Sequence, residues 1–441
     1  MSEALALKIA STLRASGYQA YEAGGCVRDR LLGLAAGDFD IATDAKPETV
    51  MRLFPRHSAV GAHFGVVLVH GERAGDDVEV ATFRADVGAS DGRHPDAVRY
   101  STAPQEDVLR RDFTINGMLR DPLTGEVLDF VGGREDLRRG VVRAIGEPRR
   151  RFREDRLRML RAARFAARLG FTVEAATAAA IREQAGEIAA ISAERIRDEL
   201  LKMLTEGRAR RAFEWLDELG LLAVILPEVA RMKGVPQPPE YHPEGDVWQH
   251  TLLLLEALPA GAPAELGLGA LLHDVGKPPT FRRAPDRIRF DNHAAIGAVI
   301  AAGIGRRLRL SRAQCEQVVA LVAQHMRFID VPRMRPSTLK RFLRQRGFEQ
   351  HLELHRLDCA ASHGNLAIYD FVRAQLAATP PEAIRPPRLI TGEDLKALGY
   401  APGPRYREIL SAVEDAQLEG EVATREQALA LIRERFPRQT P

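Results

Sequence analysis

Cysteine is scarce in this chain, with three residues among 441. Cys26, Cys315 and Cys359 lie far apart, and they form neither a Cys-x-x-Cys pair nor an even-numbered framework. This spacing gives no support for a disulfide-stapled domain, and it predicts reduced thiols in a cytoplasmic protein.

Long apolar segments are also missing. The apolar run Leu252–Leu258 is interrupted by Glu256 and stops at Pro259, so it is too short to cross a bilayer. Met1–Ala20 lacks the basic and apolar regions of a secretory signal. We therefore expect no membrane partner. The sequence contains neither an internal repeat nor a low-complexity tract.

Charge of one sign is not in large excess over the whole chain, whose formal net charge is +3. It is concentrated locally, because Arg134–Arg168 has thirteen arginines against five acidic residues, and Arg306–Arg346 has eleven basic residues against two acidic ones. Such stretches predict a bound polyanion, although solvated helix faces give the same pattern. With 28% charged and 45% hydrophobic residues, the sequence is that of a globular protein of about two to four domains.

The segment Gly24–Asp40 has the residue types of a phosphate and metal site. Its glycine pair allows close approach of the backbone to an anion, and Arg28 offers a guanidinium suited to phosphate. If Asp38, Phe39 and Asp40 form a strand, both carboxylates lie on one face. Two such carboxylates suit Mg²⁺ in phosphoryl or nucleotidyl transfer. The alternative is a glycine-rich turn followed by a solvated aspartate pair.

The order of patterns along the chain predicts an α+β fold. A β-α-β start followed by strand pairs indicates a small mixed sheet with helices on it. The polar stretch Arg84–Tyr100 is too long for an ordinary hairpin, so we predict a functional loop without regular structure. From Arg153 onward the pattern is helical. The proline-rich Lys233–Pro243 is predicted to be a linker.

The run Glu154-Asp155-Arg156-Leu157-Arg158 predicts recognition of a base. On a helix, Asp155 and Arg158 are neighbours. Cytosine and adenine each present an exocyclic amine beside a ring-nitrogen acceptor, so a carboxylate and an arginine match both. Guanine and uracil reverse that pattern and would leave buried groups unpaired. The alternative is an intrahelical salt bridge worth a few tenths of a kcal/mol.

A second constellation lies further along the chain. His273 and Asp274 are adjacent, with a histidine upstream and an aspartate downstream on predicted helices. This pattern resembles the HD phosphohydrolase superfamily, and the resemblance implies four metal ligands: His250, His273, Asp274 and Asp358. His293 and His325 suggest an additional metal or phosphate contact. Imidazole with carboxylate suits Mn²⁺, Ni²⁺ or Fe²⁺. The alternative for any single histidine is a satisfied core or surface residue.

Five motifs in order resemble the bacterial class II tRNA nucleotidyltransferases, the family of CCA-adding enzymes and bacterial poly(A) polymerases. The motifs are the Gly24–Asp29 turn with Asp38-x-Asp40, the block Arg110-Arg111-Asp112, the turn Asp129–Gly133, and the run Glu154–Arg158. The resemblance covers about residues 20–205. It implies a nucleotidyltransferase head (1–145), a helical neck that selects nucleotides and binds RNA (146–235), an HD body (240–370) and a helical tail (371–441).

The resemblance also implies roles for individual residues. Asp38 and Asp40 would hold Mg²⁺, and Glu79 is a further candidate carboxylate. Gly25 and Arg28 would contact the triphosphate, and Arg111 and Asp112 the ribose. The residues implied for nucleotide selection and the nucleotide pocket are Asp155, Arg158, Arg161 and Arg164. The loop around Asp91-Gly92-Arg93 resembles the family's flexible loop, which is thought to help switch specificity from CTP to ATP.

We therefore expect a cytoplasmic enzyme that adds CMP and AMP to the 3′ end of tRNA from CTP and ATP by two-metal transfer, with an accessory HD phosphohydrolase. An A-adding enzyme and a poly(A) polymerase are near alternatives. The presence of Asp86–Tyr100 argues against a CC-adding form that has lost this loop. Alternatives of another class are a signalling protein and an HD phosphohydrolase with a non-catalytic head. The sequence does not predict the oligomeric state.

Overall fold

The structure, a computed structural model, describes residues 3–59, 65–73, 75–87, 97–240 and 242–437. The chain divides into two compact units. Unit 1 comprises Met1–Ala230, Leu258–Gly261 and Arg307–Arg309, and unit 2 comprises Arg231–Ala257, Ala262–Arg306 and Leu310–Pro441.

A seven-stranded mixed sheet forms the centre of unit 1. Its strands are β1 (Ala20–Ala23), β2 (Asp40–Thr43), β3 (His57–Ser58), β4 (Val66–His70), β5 (Asp77–Thr82), β8 (Met118–Arg120) and β9 (Val127–Asp129). They lie in the order β3-β4-β5-β2-β1-β8-β9, and only the pair β2 and β5 is parallel. Alternate valines of β4 and β5 are buried, as the period of a half-buried strand requires. The predicted mixed sheet is confirmed.

Two predictions within the sheet region need correction. The strand expected at Asp38–Asp40 begins only at Asp40, so Asp38 precedes the strand. The stretch Arg84–Tyr100 is not structureless throughout, because β6 (Arg84–Val87) and β7 (Ala97–Tyr100) pair as an antiparallel ribbon. The predicted flexible loop around Asp91-Gly92-Arg93 lies outside the described residues.

Helices surround the sheet and continue beyond it in unit 1. They are α1 (Glu3–Ala15), α2 (Gly25–Leu31), α3 (Pro47–Leu53), α4 (Pro104–Leu109), α5 (Gly133–Arg139), α6 (Pro148–Glu154), α7 (Arg158–Leu169), α8 (Ala175–Gln184), α9 (Ala193–Thr205), α10 (Ala209–Glu218), α11 (Leu222–Ile225) and α12 (Pro227–Ala230). Two 3₁₀ helices cover Thr114–Asn116 and Ala185–Ala190. The helix predicted to run on from Arg153 breaks at Asp155, which has the extended dihedrals φ −150° and ψ 105°.

Unit 2 is mainly helical. Its helices are α13 (Val247–Ala257), α14 (Ala264–Leu272), α15 (Lys277–Thr280), α16 (His293–Arg307), α17 (Arg312–Gln324), α18 (Pro336–Leu343), α19 (Phe348–Ala361), α20 (Ala367–Ala378), α21 (Pro381–Ile384), α22 (Gly392–Ala397), α23 (Pro404–Glu419) and α24 (Arg425–Arg435), with a 3₁₀ segment at His325–Arg333. The predicted helical region after the head is confirmed, and the structure adds two short strand pairs to it. In unit 1, β10 (Val141–Val142) pairs with β11 (Thr172–Val173), and in unit 2, β12 (Phe281–Arg283) pairs with β13 (Ile288–Phe290).

The C-terminal helices α22 to α24 pack around a small core of their own that includes Leu395, Ile409 and Ile432. Arg341 on α18 pairs with Glu414 on α23 at 2.8 Å, which ties this core to the rest of unit 2. All three cysteines are free. Among the described residues, no helix is both long enough and apolar enough to cross a membrane.

Candidate functional site

A cavity of about 530 Å³ in unit 1 brings the predicted head and neck residues together. Sequence positions more than a hundred residues apart meet there, because the turn after β1, the start of β2 and the helix α7 all face it. The predicted residues that line it are Gly25, Arg28, Asp38, Asp40, Arg111, Asp112, Asp155, Arg158, Arg161 and Arg164. These ten residues therefore share one cavity, whereas the further candidate Glu79 is not among its lining residues.

The glycine turn lies against the carboxylates. Gly24 has a φ of 75°, and a Cβ atom there would lie 3.4 Å from Nη1 of Arg111 and 3.8 Å from Oδ2 of Asp40. Burial, together with the negative charges of Glu79 and Asp38, raises the pKa of Asp40 to about 6, against the opposing effect of Arg111. Glu79 is the neighbour of Asp40 in the parallel pairing of β2 and β5. Such a concentration of negative charge fits a cation.

The arginines of the cavity are already held by carboxylates. Arg28 is 2% exposed, and it donates to Asp29 at 2.7 Å and to Asn116 at 2.6 Å. Arg161 donates to Asp112 at 2.8 Å. Although burial alone would raise the pKa of Asp112, Arg161 and Asn116 lower it to about 2. These contacts fix the guanidinium groups in place before any ligand arrives.

One aromatic ring connects three of these arginines. Arg28, Arg161 and Arg164 each place their guanidinium carbon over the ring of Phe165, at 5.1, 5.1 and 4.4 Å from its centroid. Arg164 also donates to Glu199 at 2.7 Å. The ring and the carboxylates together hold three positive charges side by side, which is an arrangement suited to a polyphosphate.

The predicted base-reading pair is arranged differently from the expectation. Asp155 lies in the break between α6 and α7, and its Oδ2 atom pairs with Nη2 of Arg195 at 2.9 Å. Arg158 donates to the carbonyl oxygen of Arg110 at 3.0 Å and pairs with Glu154 at 3.1 Å. Both side chains line the cavity, but each has a protein partner that a base would have to displace or share.

A second cluster lies in unit 2. Nε2 of His250 lies 3.0 Å from Oδ1 of Asp358, and Oδ2 of Asp274 lies 3.2 Å from Nε2 of His273. His293 and His325 approach the other oxygen of Asp274 at 3.7 and 3.8 Å. All four ligands implied by the HD resemblance meet here, together with both additional histidines. Asp274, Asp358, His293 and His325 also line a cavity of about 710 Å³.

The hydrogen bonds around this cluster fix the orientation of its histidines. The Nδ1 atoms of His273, His293 and His325 lie 3.0, 2.9 and 2.7 Å from backbone carbonyl oxygens. Because a carbonyl can only accept, these Nδ1 atoms carry the proton and the Nε2 atoms face inward as acceptors. Nε2 of His273 and Nε2 of His250 are buried without a well-aligned hydrogen bond, whereas Oδ2 of Asp274 lies 2.7 Å from Nζ of Lys277. Unsatisfied inward acceptors fit a bound cation.

Comparisons with known proteins agree with this geometry. Three family profiles match: "Poly A polymerase head domain" at residues 20–143, "Probable RNA and SrmB-binding site of polymerase A" at 170–233, and "HD domain" at 246–358. The A-adding tRNA nucleotidyltransferase of Deinococcus radiodurans is 36% identical over 439 residues, which is 95% of each chain. This chain belongs to the tRNA nucleotidyltransferase family. The family resemblance predicted from its motifs is confirmed.

Two further relatives of this tRNA nucleotidyltransferase are CCA-adding enzymes. The enzyme of Geobacillus stearothermophilus is 46% identical over 221 residues, which cover 50% of this chain and 54% of the relative. The crystal structure of the Bacillus stearothermophilus CCA-adding enzyme with CTP matches with a TM-score of 0.74 and 30% identity, over 99% of this chain and 98% of that one. The nucleotidyltransferase head and the HD domain both imply dependence on a divalent metal.

Sequence reasoning missed several residues of the head cavity, above all those on α9. Arg195, Glu199 and Lys202 are spaced four and three residues apart, so they share one helix face. Arg195 and Lys202 line the cavity, and Glu199 holds Arg164. The spacing of these residues can be seen in the sequence, but a charged helix face usually lies against solvent. Nothing in the local sequence indicated that this face of α9 packs against α7.

Asp107 on α4 was missed as well, although it organises the motif Arg110-Arg111-Asp112. Its side chain is 1% exposed. One of its oxygens lies 2.6 Å from Nη2 of Arg110, and the other lies 2.9 Å from Nη2 of Arg111. Asp107 therefore clamps two arginines of the cavity wall, and the second of them lies against Gly24 and Asp40.

We predict that Asp107→Asn raises the KM for the nucleotide by about tenfold or more, because one hydrogen-bonding carboxylate is lost from two charged partners. Steady-state kinetics on a primed tRNA measures the effect. The matched control is Asp136→Asn, since Asp136 is a buried head carboxylate that pairs with Arg143 at 2.9 Å outside the cavity. An equal rise in KM in both variants would show that only general loss of stability is involved.

Proposed function

We propose that this tRNA nucleotidyltransferase adds CMP and AMP from CTP and ATP to the 3′ end of tRNA without a template. The observation that carries the proposal is the convergence of ten motif residues on one cavity of unit 1. The CTP complex of the 30% identical CCA-adding enzyme supports it. We also propose a cytoplasmic location and the division into head (1–145), neck (146–235), HD body (240–370) and tail (371–441), since each matched family profile falls within one of the first three parts.

In this proposal Asp38 and Asp40 hold Mg²⁺, a hard cation that prefers carboxylate oxygens as ligands. When bound, Mg²⁺ supplies charge neutralisation for attack of the RNA 3′-hydroxyl on the α-phosphate and for departure of pyrophosphate. The turn at Gly24 and Gly25 leaves room for the triphosphate beside these carboxylates. Arg28, Arg161 and Arg164 provide positive charge around it, and Arg111 and Asp112 contact the ribose.

Selection of the base is assigned to Asp155 and Arg158. A carboxylate that accepts from an exocyclic amine and an arginine that donates to a ring nitrogen match both cytosine and adenine. Nη2 of Arg195 lies 2.9 Å from Oδ2 of Asp155, and this pair orients the carboxylate at the cavity wall. Because Asp155 lies in the break before α7, the pair is presented from a turn rather than from one helix face.

We propose that the HD domain is a metal-dependent phosphohydrolase that acts on phosphate esters of nucleotides or RNA ends. His250, His273, Asp274 and Asp358 would hold a transition metal such as Mn²⁺, Ni²⁺ or Fe²⁺. Asp274, His293 and His325 form a second group, in which two Nε2 atoms face each other at 3.2 Å. Both rings carry their proton on Nδ1, so the two lone pairs repel each other and both nitrogens could bind a cation. When bound, such cations supply Lewis acidity for attack of water on phosphorus.

The number of nucleotides added tests the head proposal. The protein is incubated with tRNA lacking its terminus, or ending in C or CC, with CTP, ATP or both, and product length is read on a gel. CCA addition predicts two residues from CTP alone on the truncated tRNA, and then one from ATP. Addition of A only, and only to the CC end, would instead support an A-adding enzyme. We keep this as the second candidate because the relative that matches over 95% of both chains is an A-adding enzyme.

A further inference from the structure

We propose that Glu244 is the positioning residue of the HD metal cluster, and that it also presents His242 to the substrate. The inference rests on the proposed phosphohydrolase function and adds two residues to it. One carboxylate oxygen of Glu244, Oε1, lies 2.7 Å from Nδ1 of His250 and 2.9 Å from Nδ1 of His242. A single buried oxygen thus sets the orientation of two imidazole rings.

The local sequence explains why this carboxylate points inward. Asp246 caps helix α13, because its Oδ1 accepts from the backbone N–H of Gln249 at 2.8 Å and its Oδ2 accepts from that of Gly234 at 2.6 Å. Gly245 has a φ of 124°, a conformation that residues with a Cβ rarely adopt. The capped helix and the glycine turn together direct Glu244 back toward His250, which lies one turn into α13.

For His250, the contact with Glu244 decides which nitrogen faces the cluster. An ionised carboxylate accepts only, so Nδ1 carries a proton and Nε2 faces Asp274 and Asp358. The other three histidines of the cluster use backbone carbonyl oxygens for the same purpose. His250 lies inside α13, where the nearby backbone carbonyl oxygens accept hydrogen bonds from backbone N–H groups of the helix. Glu244 therefore provides the acceptor for Nδ1 of His250.

For His242, the same contact places a free nitrogen at the cavity wall. His242 lines the cavity of unit 2 together with Asp274, Lys277 and Asp358. Because the Nδ1–H group of His242 donates to Glu244, Nε2 of His242 is an acceptor. No hydrogen-bond partner of this Nε2 is found among the described residues. An acceptor beside a phosphoester site suits a hydroxyl donor, so we assign this nitrogen to a hydroxyl group of a ribose phosphate ester or to the attacking water.

A purely structural role for Glu244 predicts a different outcome. Its side chain is 8% exposed, and its second oxygen, Oε2, is buried without a hydrogen bond. A buried carboxylate with one oxygen lacking a hydrogen bond contributes little to the stability of a loop, because its desolvation costs free energy. If Glu244 only tied the loop to α13, its removal would lower the melting temperature and leave metal affinity unchanged in the folded protein.

The test measures Mn²⁺ binding by isothermal titration calorimetry on the full chain and, separately, hydrolysis of 2′,3′-cyclic AMP and of 3′-AMP, which has a free 2′-hydroxyl beside its phosphate. To keep head binding out of the signal, all variants are made on an Asp38→Asn, Asp40→Asn background. We expect Glu244→Ala to weaken Mn²⁺ binding by about 10- to 100-fold, with Glu244→Gln in between. His242→Ala should keep the Mn²⁺ affinity. It should raise the KM for 3′-AMP if Nε2 binds the 2′-hydroxyl, and lower kcat on both substrates at unchanged KM if Nε2 binds the attacking water. Glu240→Gln, an exposed glutamate of the same loop, is the matched control.

The outcomes separate the two proposals. If the background protein binds no Mn²⁺, Ni²⁺ or Fe²⁺, the HD function itself is wrong. If it binds metal and folded Glu244→Ala binds it within twofold of the background protein, the positioning role of Glu244 is overturned. Unchanged kcat and KM on both substrates in His242→Ala would overturn the role of His242 alone. Circular dichroism of each variant establishes that it is folded.

Discussion

Asp40→Asn will abolish nucleotide incorporation and at the same time stabilise the metal-free protein. The loss of activity follows from the removal of a carboxylate that holds Mg²⁺ beside the α-phosphate. Metal-ion stabilisation of the transition state is worth several kcal/mol, so we expect a fall of about 10³-fold or more. The gain in stability follows from the surroundings of Asp40, where burial, Glu79 and Asp38 all disfavour its ionised form.

The sign and the pH window of this gain follow from the shifted pKa. The pKa of Asp40 rises from 3.8 in the unfolded chain to about 6 in the folded protein. Between these values the folded state binds more protons than the unfolded state, so the wild type loses stability as pH rises from about 4 to about 6. At pH 7 the cost is on the order of 1–3 kcal/mol, and asparagine does not incur it. Below pH 4 the two proteins should be equally stable.

Denaturant unfolding in EDTA at pH 4 and pH 7 measures the stability, and labelled ATP or CTP incorporation into tRNA measures the activity. Asp44→Asn is the control, because the Asp44 carboxylate accepts from the backbone N–H of Gln19 at 2.8 Å and does not line the cavity. It should retain activity and show no gain in stability. Persistent incorporation in Asp40→Asn would show that the head assignment is wrong. If Asp40→Asn and the wild type are equally stable at pH 7, the burial of the ionised Asp40 carboxylate costs less free energy than its surroundings indicate.

The head site illustrates what sequence can predict and where it fails. Asp38 and Asp40 could be named as candidates, because a glycine pair and two aspartates have a recognisable chemistry within seventeen residues. Asp155 was also named as a candidate but was placed wrongly on a helix, because helical periodicity does not show a single extended residue between α6 and α7. Its partner Arg195 could not be predicted, since the pairing depends on how α9 packs in three dimensions.

In the HD site, the sequence predicted the candidate ligands but not the orientation of their rings. The ligand types and their order along the chain are specific, and the cluster forms as expected around Asp274. The orientation of each ring was not predictable, because it depends on backbone carbonyl oxygens that become available only where helices end. Glu244 lies six residues before His250, a spacing that has no meaning on a helix. Only the turn at Gly245 brings them together.

The second large effect is expected at Asp274, where substitution should act on stability in the opposite direction. Although burial alone would raise the pKa of Asp274, His273 and Lys277 hold it well below its usual value. Nζ of Lys277 lies 2.7 Å from its Oδ2 atom. A group with a depressed pKa contributes stability above its unfolded pKa near 4, and this contribution is lost as pH falls toward the folded value. At pH 7 it is fully present.

Asp274→Asn should therefore destabilise the metal-free protein at pH 7, by about 3–5 kcal/mol if the buried cations are left unpaired. It should also abolish binding of Mn²⁺ or Ni²⁺ and hydrolysis of 2′,3′-cyclic AMP, while tRNA nucleotidyl transfer by the folded protein persists. The measurements are unfolding in EDTA, metal content after dialysis, and both activities. Asp330→Asn, an exposed aspartate of the same domain, should change none of them.

The two substitutions together test one physical distinction. Asp40 faces excess negative charge and is stabilised only when a cation binds, whereas Asp274 is paired with Lys277 even without a metal. Asparagine should accordingly stabilise the apo head and destabilise the apo HD domain, while each abolishes only its own activity. If both substitutions shift stability in the same direction, charge balance does not explain the difference. If Asp274→Asn also stops nucleotide addition in a folded protein, the two activities are not independent.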